Sequence, residues 1–430
     1  MNARLVIYFL FVVITSFSQV VHIPIGKKSM GNGEVTMELV NRYQHYNAGT
    51  KDINDSFDSA INSPKSVNYS IDGNKFYVQS LEGYTTAVYD AKTKKKINII
   101  KHVFNQENQN LFKNNETTAF DYEFLVKRDN YNFFSGKPVE SCFSHNGKYL
   151  WVTYYRRDYD SNASCPSAVA IIDTEKDEIV RVMPTGPLPK MIACSPDNKF
   201  IAVTHWGDNT IGIINIESDD PMNFNYQKHC IVDYQMKMDF GGKHVDRDSD
   251  CGYCLRGTVF TPDGSFLLVG KMGGAGGIAV FDAKTFELLG TIKGMESNVR
   301  HLVINGENLY LSANSPGKIQ KCNWRSFVKT RIQHKEKEVQ FNDFESVFVG
   351  SGARTIVTTS SGKYVFAAVN NGSKIVAVRT SDMNIVAEIP ADSYPVGMDI
   401  SSDDSELIVT AQGKSNGGGN SVMVFSLKFK

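Results

Sequence analysis

The sequence predicts an all-β fold: a seven-bladed β-propeller of four-stranded antiparallel blades, the last blade closed by an N-terminal strand. Three observations predict it. A strand–turn–strand unit recurs seven times, the clearest unit has the length of one blade, and the last unit stops one strand short.

Residues 255–290 show the unit most clearly. Residues 256–261 alternate polar and apolar, as a half-buried strand does. Pro262-Asp263-Gly264 is a tight turn: proline presets φ, aspartate bonds locally and glycine accepts positive φ. Residues 266–269 form a continuous apolar run suited to a strand buried on both faces. Glycines 273, 274, 276 and 277 make a loop, 278–281 a third strand, and the turn at 282–285 leads into a fourth at 286–292. Four strands in roughly 40 residues match one blade.

Aligned on the turn, seven first strands stand at 64–73, 138–147, 189–198, 255–264, 298–306, 353–362 and 395–404. An apolar second strand follows each, and most then show a third such as AVYD, VAIID or IGIIN. After Pro395 the chain offers strands near 396–401, 406–411 and 421–427 and then ends. The runs 20–25 and 35–40 are the candidates for the missing fourth strand, which would remove an exposed edge.

The segment 189–204, with Ser195-Pro196-Asp197-Asn198 and Ala202-Val203-Thr204 followed by NTIGIIN, resembles the YVTN repeat of secreted bacterial and archaeal β-propellers. Trp151-Val152-Thr153 and Ile408-Val409-Thr410 resemble it too. The resemblance spans about 62–430. It implies kinship with lactonase-like and nitrous-oxide-reductase-like propellers, whose members range from enzymes to binding proteins, so it leaves function open. The shortened fifth unit and the long insertions depart from the pattern.

Residues 1–18 read as a signal peptide: Arg4 supplies a positive start, 5–14 an apolar core, and Ser16-Phe17-Ser18 a small-residue site with cleavage expected near Gln19. The remainder, 19–430, reads as one propeller domain, secreted or periplasmic, with no transmembrane segment. Lys and Arg total 46 against 46 Asp and Glu, which supplies no global attraction for nucleic acid or an anionic membrane.

Loop length carries the functional signal. Insertions at 101–134, 155–166, 236–254 and 330–350 are assigned to one rim by strand alternation, leaving short turns on the other. Long loops gathered on one face of a rigid scaffold are where binding concentrates. The same counting, eight residues back from each turn, puts Lys65, Lys190, Arg256 and Arg354 at equivalent positions beside the central channel; Arg300 joins them if the fifth unit has lost two residues. Such cations either attract a carboxylate, phosphate or sulfate, or pair with Glu140 and loop aspartates. Tyr154, Arg156, His205 and Trp206, at the ends of second strands, complete the candidate ligand site, aromatic rings with a polar edge suiting a platform.

No cofactor is expected. Calcium is the one candidate, at Asp246, Asp248 and Asp250, but Gly252 falls one place late for an EF-hand loop and no closing glutamate follows. Of seven cysteines, Cys251 and Cys254 are spaced to form a small disulfide ring, and Cys322 is the expected buried free thiol. Cys142 and Cys194, in first strands of adjacent blades, either face each other or point apart. No nucleophile elbow, zinc-protease, Walker or dinucleotide motif occurs. The expected function is a secreted binding protein, a monomer, that holds an anionic or polymeric ligand or a protein partner on the loop-rich face. The alternative is a lactonase-like hydrolase drawing on His205, His244, Glu140 or Asp246.

Overall fold

The structure, a computed structural model, describes residues 23–44, 55–114, 116, 118, 120, 122–238, 245–413 and 420–430. The expected leader and its cleavage point, and His244, lie outside the described residues.

Seven antiparallel sheets form the blades. Their innermost strands are Pro64–Tyr69, Phe134–Ser144, Pro189–Cys194, Leu255–Phe260, Val299–Asn305, Ala353–Thr358 and Pro395–Ile400. Seven apolar clusters lie one between each neighbouring pair of blades. The clusters explain the near-continuous apolar second and third strands: a middle strand of a blade is covered on both faces.

The recurring turn is a hydrogen-bonded device. The Thr261 hydroxyl donates to Asp263 (2.7 Å) and accepts from the Phe266 N–H (3.0 Å). Ser195 and Ser401 repeat the first bond to Asp197 and Asp403, each at 2.6 Å. The next position, Gly264, Asn198 or Asp404, takes φ of 68°, 57° or 58°. That left-handed region suits glycine and tolerates asparagine and aspartate, which is why the motif reads Asp-Gly or Asp-Asn.

Closure occurs as the sequence predicts. Val35–Gln44 pairs antiparallel with the final strand Ser421–Phe429 and becomes the fourth strand of blade 7. Met37 and Leu39 are fully buried in the adjacent core. Arg42 reaches the connection between blades 6 and 7 and bonds Asp392 there (Nε–Oδ2, 2.8 Å), with both side chains completely buried. The Ile23 N–H donates to the same carboxylate (3.0 Å).

One insertion lies on the rim opposite to that expected. The segment 330–350 does not link blades 5 and 6; it falls within blade 5, between the third strand, Lys318–Asn323, and the fourth, Glu345–Phe348. It follows a helix, Trp324–Gln333, and lends Glu338–Gln340 in parallel to blade 4. The Trp324 indole N–H donates to the Gly306 carbonyl in the short turn of blade 5, and Arg325 lies 3.7 Å from Asp263 in that of blade 4. These contacts put the helix on the rim of short turns. Strand counting from the turn misplaces this segment because a helix delays the fourth strand.

Candidate functional site

The five predicted cations converge, and a backbone irregularity explains how. In blade 5, Val299 pairs with Ala313 and His301 with Ser312, so Arg300 is an extra residue with no partner across the ladder. Lys190 holds the same place between Pro189 and Met191. In blades 1, 4 and 6 the irregularity spans Lys65-Ser66, Arg256-Gly257 and Arg354-Thr355. Val396 occupies it in blade 7, and Val139 with Glu140 in blade 2. A β-bulge re-aims the side chain it carries. Every blade thus has a bulge in its inner strand, at the strand's start in all but blade 2, and five of the seven bear a cation there.

The cations act on one another electrostatically. Lys65 is held well below its ordinary pKa by burial first, then by Arg354, Arg256, Arg300 and Lys190. Burial, Arg256 and Arg354 likewise depress Arg300, and burial with Arg256 brings Arg354 down to about 10. Lys190 falls to about 7, mainly through burial, with Asp248 opposing the change. His301, next to Arg300, is lowered to about 3 by burial and then by Arg256 and Arg300, and so is neutral. Its position directly after a ring cation was the available signal, and sequence reasoning passed over it.

Counter-ions reach only part of the ring. Arg256 bonds Glu140 (2.5 Å), and the Lys190 ammonium bonds Asp248. Lys65 donates to the neutral Gln412 amide (2.8 Å). Arg300 donates to the Met272 sulfur (3.3 Å), while its Nε is buried without a hydrogen-bond partner. The Arg354 guanidinium has no hydrogen bond or ion pair among the described residues, although Glu140 lies near enough to favour its charge.

The loop-rich rim frames this mouth. Lys190 sits 3.9 Å from the Trp206 ring centroid and 5.0 Å from that of Tyr155, a cation–π arrangement. The Trp206 indole N–H donates to the Asp248 carbonyl (3.0 Å). Trp206, Leu188, Ala163 and Cys251 form a small apolar cluster, with Tyr155 and Cys254 packed against it. Cys251 and Cys254 form the expected disulfide. The Arg247 N–H donates to the Asn162 carbonyl (3.0 Å), so two of the insertions touch.

Tyr154 and His205, expected at the ligand site, are fully buried, Tyr154 in the core between blades 1 and 2. The Tyr154 hydroxyl is bonded to His102 Nδ1 (2.8 Å). His205 Nε2 accepts from the Gly186 N–H (3.1 Å), which leaves Nδ1 to donate to Thr210 (2.7 Å). A strand of period two turns each residue from one face to the other, and both side chains turn inward to the blade. Arg156 bonds the Ser161 carbonyl within its own loop. Trp206 alone of these four meets a ring cation.

The aspartate loop is also committed to protein partners. Asp248 takes Lys190, Asp250 lies 3.5 Å from Arg247, and Asp246 accepts the Asp248 N–H (3.0 Å). Among the described residues no three His, Cys, Asp or Glu side chains gather in a metal-binding arrangement. Cys142 and Cys194 pack against the same core between blades 2 and 3, so they face one interface; Cys322 is buried with a free thiol.

No family model matches the sequence, and no curated protein does. Solved structures do. The chain is similar to hydrazine synthase from Kuenenia stuttgartiensis, at 14% identity over 90% of this chain and 100% of that one, with a TM-score of 0.58. It is also similar to the β-propeller domain of Cps50 (Swd1) from Myceliophteria thermophila, at 12% identity over 85% and 96% of the two chains, with a TM-score of 0.55. At such identities the likeness shows the fold alone. The chain is a seven-bladed β-propeller. No helix among the described residues is long and apolar enough to cross a membrane.

Proposed function

We propose that this propeller is a binding protein of the YVTN kind, exported from the cytoplasm, which takes an anionic ligand or an acidic partner at the mouth of its central channel. One observation carries the reading. Five bulges throw cations into one mouth, and Arg300 and Arg354 there lack ion pairs among the described residues. Like charges brought together under partial burial cost stability, and the fold retains them. A ligand that neutralises them explains the retention. The leader-like residues 1–18 and the Cys251–Cys254 disulfide support export. The hydrolase reading is less well supported: His205 is spent inside its blade and Glu140 on Arg256.

A fluorescent polysulfonate dye such as pyranine tests the mouth directly. The wild-type chain is expected to bind it saturably at low salt. Arg256→Ala combined with Arg354→Ala should weaken binding more than tenfold, on the order of the 1.4 kcal/mol that separates decades of affinity. Dye affinity unchanged in the double variant would remove the mouth from consideration.

A further inference from the structure

The ring is not uniform, and its asymmetry narrows the ligand. On one side, Arg256 and Lys190 each hold a carboxylate, Glu140 and Asp248. On the other, Lys65 has only the Gln412 amide, Arg300 a thioether, and Arg354 no hydrogen bond or ion pair among the described residues. These three come from blades 1, 5 and 6, with Val396 of blade 7 in the interval between Arg354 and Lys65. The open cations are therefore contiguous around the axis.

Charge sets the class. Among the described residues, Glu140 and Asp248 pair with two of the five cations, which leaves three positive charges. A dianion offsets most of that charge under burial, a monoanion only a third of it. Two planar guanidinium forks with one point-charge ammonium suit a tetrahedral group with several acceptor oxygens. The Arg300 Nε, buried without a partner, is a donor that such an oxygen would satisfy. The cavities of about 290 and 420 Å³ lined in part by residues of the 105–133 insertion include none of the ring cations and are separate from the mouth.

We infer that Lys65, Arg300 and Arg354 together hold one divalent tetrahedral oxyanion, either inorganic phosphate or the phosphate monoester of a small molecule. This rests on the proposed anion-binding mouth and adds the charge and shape of what enters it. Arg256 and Lys190, already neutralised, shape the entrance rather than carry the anion.

Calorimetric titration of the full chain at matched ionic strength tests it, with inorganic phosphate, glycerol phosphate, acetate and chloride as probes. Phosphate should bind saturably, acetate and chloride at least tenfold more weakly. Arg354→Gln should weaken phosphate by tenfold or more, whereas Arg325→Gln on the opposite rim should not. The ligand-free Arg354→Gln variant should melt no lower than wild type, because a mutually repelling charge has gone; if it fails to fold, Arg300→Lys serves in its place. Glycerol phosphate binding more tightly than phosphate identifies a monoester ligand, and the reverse order the free ion; both support the inference. Equal binding of acetate overturns the divalent class. Phosphate binding that ignores Arg354→Gln overturns the assigned residues. Absence of phosphate binding overturns the inference as a whole, while retained dye binding in the same preparation leaves the wider reading standing.

Discussion

Lys190 makes the ring responsive to pH. Its folded pKa is about 7 against an ordinary 10.5, lowered mainly by burial. Above pH 7 the folded lysine loses its proton while the unfolded one keeps it, so the unfolded state binds more protons. The burial penalty is thus fully present below about pH 7 and fades as pH rises toward 10.5, giving ligand-free stability an upward slope in that window. Ligand binding runs the other way, because an anion favours the protonated ring. Sulfate, a tetrahedral dianion throughout this range, should lose affinity several-fold from pH 6 to pH 9, with a shallower slope in Lys190→Met. A pH-independent affinity in the wild type would contradict the assignment. Residue identity here was readable in the sequence, since four of the cations stand eight residues before their turns and Arg300 joins them once the two residues missing from the fifth unit are allowed for. The inward burial of Tyr154 and His205 was not, because a one-residue change of register exchanges the two faces of a strand.

Two elements hold the ring in shape. The first is the N-terminal strand with its Arg42–Asp392 pair, both partners fully buried. Removing one partner of such a pair leaves a buried charge, which costs about 3–5 kcal/mol. Asp392→Ala should lower unfolding free energy in denaturant by that amount; a change below about 1 kcal/mol would mean the pair is dispensable. The second is the bulge. Gly397 lies so close to blade 1 that a Cβ built there would stand 2.0 Å from the Lys65 carbonyl. Gly397→Ala should cost roughly 1–3 kcal/mol as an overpacked contact and also weaken anion binding, because the strand carrying Lys65 must shift. Loss of stability without loss of binding would separate the contact from the site. Sequence alignment located these strands, but no residue pattern marked the bulges, which exist only as a mismatch between two paired strands.

At the scale of the whole molecule, the N-terminal strand closes the ring. Val35–Gln44 supplies Met37, Leu39 and Tyr43 to the cores beside blade 7 and covers the edge of Ser421–Phe429. A chain lacking everything before residue 45 exposes that edge and is expected to associate with increasing concentration, measured by light scattering. A monodisperse monomer with wild-type melting behaviour would contradict it.

The sequence by itself determined the blade count, the turn chemistry, the closing strand and the alignment of five cations, because each depends on local periodicity or on φ preferences that a few residues enforce. Tertiary structure decided what periodicity cannot encode. It delayed the fourth strand of blade 5 behind a helix on the other rim, turned Tyr154 and His205 inward, and paired Arg256 and Lys190 while leaving Arg300 and Arg354 without ion pairs among the described residues. Those outcomes depend on which strands meet across space and in what register.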